Sequence, residues 1–84
     1  MKLSEEEVKI IIKDTIKKMY GKLVYNTYDN LYREPYAFKA YDIIYILVAV
    51  FDKLGYRNIE IEDELLDKTT FSSVESISQF ILSI

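Results

Sequence analysis

The sequence contains neither cysteine nor histidine. That double absence excludes disulfides, thiolate nucleophiles, imidazole general-base catalysis and the common zinc sites, and most enzyme mechanisms go with them. Glycine occurs twice and proline once, so each is informative punctuation. The longest apolar run, Ile43 to Phe51, is far short of the roughly 20 residues a membrane-spanning helix needs. The opening MKLSEEEV has no long apolar core behind a basic region, so it does not read as a secretory signal, and the cytoplasm is the expected compartment. The net charge of -3 lacks the basic excess that nucleic acid rewards.

What is present points to one domain over residues 1–84 with a single core, because half of the 84 residues are hydrophobic and a chain of this length closes one core but not two. Charged residues make up 30%, which is not the composition of a disordered segment. The charge is uneven. Residues 1–22 carry six lysines against four acids, while residues 56–84 carry six acids against one arginine and one lysine. Such asymmetry steers partners.

Ser4 followed by Glu7 has the form of a capping box, with the serine oxygen accepting from an orphan amide and the glutamate reaching back. Val8, Ile11, Ile12, Ile16 and Met19 then recur at helical spacing, and Gly21 supplies a left-handed stop. From Lys22 to Tyr36 the periodicity is lost, and a long structured loop is expected. Seven of the eight tyrosines lie between Tyr20 and Tyr45. They read either as an aromatic binding surface or as amphipathic pins that fasten the loop to the core with their hydroxyls in water; the second reading is favoured.

A second helix is expected from about Ala37 to Leu54, stopped by Gly55. A 3.6-residue wheel puts Ala37, Ala40, Tyr41, Ile44, Leu47, Val48, Phe51 and Leu54 on one broad face. Ile43, Ile46 and Val50 fall on one flank, and Phe38, Tyr45 and Ala49 on the other. A helix apolar nearly all round is buried on most sides or meets a partner. Further on, a short third helix is expected over Glu62 to Asp67. Ser72 with Glu75 then repeats the capping-box pattern at the start of a final helix bearing Val74, Ile77, Phe80 and Ile81. The expected fold is an all-α four-helix bundle with a long first loop and a short third helix.

The opening EEEVKIII, the long irregular loop before a central helix, and FDKLGYRNIEIEDELLDKTTFSSVESISQFI together resemble an acyl carrier protein over nearly the whole chain. A related group, the acyl-carrier-related proteins of bacterial peptide-maturation cassettes, is the closer analogue that the chain resembles, without a motif that fixes it. The resemblance implies a serine in an Asp-Ser-Leu motif at the start of the second helix, carrying a phosphopantetheine arm. Here Lys39-Ala40-Tyr41-Asp42 stands where Asp-Ser-Leu-Asp is expected, and Ala40 has no oxygen to phosphorylate. The serines are Ser4, Ser72, Ser73, Ser76, Ser78 and Ser83, none near that helix start, and Thr27 lies mid-loop. No cofactor is expected.

The family also displays acids on the outer face of its second helix, where this chain has Tyr45, Phe51 and Asp52. The resemblance therefore implies a non-catalytic module that docks on enzymes of an acyl or modified-peptide pathway without carrying an arm. The expected contact strip is Ala40, Asp42, Tyr45, Ile46, Ala49 and Asp52. Its partner is a biosynthetic enzyme, a maturation-system protein or a second copy joined through the second helix, with no membrane and no nucleic acid. One alternative is an acyl-chain binder lined by Ile46, Val50, Leu54, Ile61, Leu65 and Leu66, though apolar residues at helical spacing are more often plain core. Another is a true carrier modified at an unexpected position. Glu60, Glu62, Asp63 and Glu64 lack the spacing and glycine of a calcium loop and read as a solvated acidic face, with no metal expected.

Overall fold

The computed structural model describes residues 3–55 and 71–83. Within them the chain is helical with no strand, in three helices: α1 over Glu5–Tyr20, α2 over Ala40–Leu54 and α3 over Val74–Leu82. The short helix expected over Glu62 to Asp67, which would make the bundle four-membered, lies outside the described residues, as does the acidic cluster Glu60 to Glu64. No described helix is long and apolar enough to cross a membrane.

α1 begins and ends where its sequence signals lie. The Ser4 hydroxyl oxygen accepts from the Glu7 backbone N–H at 3.2 Å, while the Glu7 carboxylate takes the Ser4 hydroxyl proton at 3.1 Å instead of the Ser4 backbone amide. At the other end Gly21 adopts φ 68° and donates to the Lys17 carbonyl at 2.8 Å, the left-handed closure that glycine makes without steric cost. Val8, Ile12, Thr15 and Ile16 are buried. Met19, expected inside, is 43% exposed. Thr15 takes an interior position because its hydroxyl donates to the Ile11 carbonyl at 2.8 Å, so no polar atom is left unpaired.

The final helix corrects one sequence reading. Its N-cap is Ser73, not Ser72, and its partner is Ser76: the Ser73 hydroxyl accepts from the Ser76 N–H and the Ser76 hydroxyl from the Ser73 N–H, both at 3.1 Å. Glu75 is thereby released to bind Lys9 of α1 at 2.7 Å and to accept from the Thr27 hydroxyl at 3.3 Å.

α1 is the central element, packing on both α2 and α3. The core gathers side chains from all three helices and from the loop, with Leu31 and Phe71 fully enclosed beside Ile12, Ile16, Ile43, Leu47 and Ile77. Phe71 meets Phe80 edge-on, ring centres 5.0 Å apart, and Phe80 also approaches Phe51 of α2 at 6.5 Å. Edge-to-face aromatic pairs of this kind add about 0.5–1.5 kcal/mol beyond area burial.

Candidate functional site

The candidate site is the first turn and outer face of α2, and the loop before it determines its position. Residues 21–39 contain no helix yet are fastened at several points. Asn26 and Asn30 carboxamide oxygens accept from the N–H groups of Tyr28 and Tyr32, each at 2.9 Å, closing two Asx turns. Leu31 N–H donates to the Ser72 carbonyl at 2.6 Å, Leu31 carbonyl accepts from Phe38 N–H at 2.9 Å, and Glu75 N–H donates to the Thr27 carbonyl at 2.9 Å. The loop is thus laced to the start of α3 at two points.

The tyrosines divide between the two roles expected of them. Tyr36 is buried and its hydroxyl donates to Asp29 at 2.9 Å; burial and that bonded carboxylate raise its phenol above the ordinary value. Tyr20 lies against Phe38 with ring centres 4.9 Å apart, and Lys22 places its ammonium 5.1 Å above the same Phe38 ring while donating to the Tyr36 carbonyl. Tyr25 and Tyr28, by contrast, are 83% and 73% exposed. Pins and surface residues alternate in one segment.

α2 starts three residues later than its apolar pattern suggests. Ala37 sits at φ 51°, a left-handed conformation that cannot open a right-handed helix, and Phe38 N–H is turned back to Leu31. Lys39 becomes the N-cap, and Asp42 does the capping by accepting from the Lys39 backbone N–H at 2.9 Å. The other Asp42 oxygen accepts from the Tyr20 hydroxyl at 3.0 Å. That phenol is pushed up to about 12, first by burial and then by Asp42, which a phenolate would repel. One carboxylate therefore closes the helix end and ties it to the last residue of α1.

The expected contact strip is redistributed by these facts. Ile46 is fully buried and is withdrawn from it, because the buried stripe of α2 is Ile43, Ile46, Leu47, Val50 and Phe51. Its spacing of i, i+3, i+4, i+7 and i+8 is that of a core-facing helix. Phe51, which the wheel put on the broad apolar face and the resemblance on the outer one, belongs to the same stripe. Asp42 is committed to structure through both oxygens. Ala49 is half-buried, and Ala40, Tyr45 and Asp52 are exposed. Tyr41 and Val48, which the wheel assigned to the main apolar face, are instead 54% and 56% exposed beside Tyr45 at 57%.

Tyr41 and Tyr45 meet edge-on, ring centres 6.4 Å apart. No protein-family model, curated protein or solved structure matches this chain. The chemistry must be read from the site alone. Ala40, the first residue of α2, is an exposed methyl. Of the described serines and threonines, Ser4 caps α1, Thr15 is buried in α1, Thr27 bonds Glu75, and Ser72, Ser73, Ser76, Ser78 and Ser83 lie in or beside α3. Among the described residues no group of three acids is placed to hold a metal. For the acyl-chain alternative, Ile46 and Val50 are fully buried and Leu54 packs partly against the core, while Ile61, Leu65 and Leu66 lie outside the described residues.

Proposed function

We propose that this chain is a non-catalytic module resembling an acyl carrier protein, docking on an enzyme of an acyl or modified-peptide pathway without carrying a phosphopantetheine arm. The observation that carries the reading is the first turn of α2. A long loop delivers the chain to a helix whose opening residue, Ala40, is exposed, the position that the resemblance assigns to the attachment serine. The face beyond it offers Tyr41, Tyr45 and Val48 with Asp52 as its exposed acid. Such a face suits a partner groove that is apolar with a few hydrogen-bonding groups more than it suits a strongly basic surface.

The test uses coenzyme A, a broad-specificity phosphopantetheinyl transferase and intact-protein mass. The native chain is expected to stay unmodified. A variant with Lys39→Asp, Ala40→Ser and Tyr41→Leu, all at exposed positions, is expected to gain the mass of the arm. Modification of the native chain would refute the arm-less reading. Failure of a folded variant to accept the arm would refute the carrier-like placement of α2.

A further inference from the structure

The exposed side chains of α2 are not scattered. Tyr41, Tyr45, Val48 and Asp52 follow one another at steps of four, three and four, the spacing of a heptad seam, on the side of the helix away from Ile43, Ile46 and Val50. The seam carries phenols at residues 41 and 45, valine at residue 48 and its one carboxylate at residue 52. The carboxylate end is complementary to the phenol end and not to a second carboxylate.

We infer that this seam pairs with the same seam of a second copy, antiparallel about a two-fold axis that passes between residues 46 and 47. In that register Tyr41 meets Asp52 of the second copy, Tyr45 meets Val48 of the second copy, and the two-fold repeats both contacts. Asp52 then accepts from a Tyr41 hydroxyl at the start of the opposing helix. The two helix dipoles run head to tail. A parallel pairing has none of this, because it sets Asp52 against Asp52. The seam flanks, Ile44 and Ala49, are half-buried and put no charge against the axis.

The size of the seam sets the strength. Tyr41, Tyr45 and Val48 are each a little over half exposed, so the two copies together cover roughly 600 Å², below the ~1,200 Å² of a lasting interface. The dimer is a weak one that forms and separates with concentration. The inference does not rest on the carrier-like reading, since it uses only the geometry and chemistry of α2.

Sedimentation and site-directed cross-linking test it. The mass is expected to rise from 9.9 kDa at ~10 µM towards twice that at ~1 mM, the range appropriate to an interface below standard size. The chain has no native cysteine, so Tyr41→Cys and Asp52→Cys chains can be oxidised separately and as a mixture. The mixture is expected to form inter-chain disulfides at least ~10-fold faster than either chain alone, because like positions lie roughly 16 Å apart along the antiparallel pair, beyond the ~7 Å reach of a disulfide. Helical circular dichroism confirms that both variants fold. A strict monomer at ~1 mM overturns the inference, and so does cross-linking of like positions as fast as the mixture.

Discussion

Replacing Leu31 by alanine tests whether the irregular loop is part of the fold or a strap laid over it. Leu31 is fully buried although no helix carries it, and its two backbone groups reach Ser72 on one side and Phe38 on the other. The substitution removes three carbons, worth about 2.4 kcal/mol at ~0.8 kcal/mol per buried methylene. The unfilled space adds to that, and measured leucine-to-alanine changes in cores run about 2–5 kcal/mol. We expect a loss of about 3 kcal/mol, a large share of the roughly 4–12 kcal/mol total that a chain of this size has. Denaturant unfolding should be followed by far-ultraviolet circular dichroism, which reports the helices, and by tyrosine fluorescence. With no tryptophan in the sequence and Tyr20, Tyr25, Tyr28, Tyr32 and Tyr36 in or beside the loop, the fluorescence reports chiefly that segment. Both midpoints are expected to fall together with unchanged slope, as one cooperative unit requires. A helical midpoint that stays in place while the tyrosine signal moves would show that the loop detaches on its own, and the account of how α2 is positioned would be wrong.

Two further predictions concern the loop and its junctions. Ala37 sits at φ 51°, where a non-glycine residue loses roughly 1–2 kcal/mol and glycine recovers most of this less about 0.4–1 kcal/mol of added unfolded-state freedom. Ala37→Gly should therefore raise Tm by a few degrees, and a lower Tm would contradict the left-handed assignment. The Lys9 ammonium first, then the neighbouring Glu5 and last the Thr27 hydroxyl hold the Glu75 carboxyl below the ordinary 4.5, against burial, which raises it. A group with a depressed folded-state pKa lends stability that is complete above its ordinary value and is lost as pH falls through the depressed one. Melting between pH 7 and pH 3 should show a steeper acid loss in the native chain than in Glu75→Gln, and parallel profiles would remove Glu75 from the explanation.

Much of this could be read from residue order, and the failures have physical causes. The ends of α1 were legible because Ser4 and Gly21 act within one turn of themselves. The start of α2 was not, since what delays it to Ala40 is a long-range demand: Phe38 must return its N–H to Leu31. The face of α2 was ambiguous because the helix carries two apolar arcs and periodicity weighs them equally. Residue type would have separated them, as the buried arc is aliphatic with one phenylalanine whereas the exposed arc carries the tyrosines, whose hydroxyls favour a half-wet surface. The Ser72–Glu75 cap failed through competition, since Ser73 and Ser76 offer the same spacing one residue on and Lys9 claims Glu75 from another helix. The two Asx turns were available in the sequence at Asn26 and Asn30, but the Tyr20–Asp42 link spans 22 positions and no local signal announces it.

The same exposed seam serves both proposals, and one face cannot be covered twice. Docking and self-pairing are therefore competing equilibria, linked through the concentration of free single chains. A partner that binds only the single chain shifts the pair apart by mass action. Because the seam covers so little area, that competition is negligible at micromolar concentration and grows only where the chain is abundant. The tie from Asp42 to Tyr20 matters here. It fixes the first turn of α2 to α1, so Tyr41 and Tyr45 are presented on a braced helix and little ordering remains to be done on contact. A small seam on a braced helix can be specific without being strong.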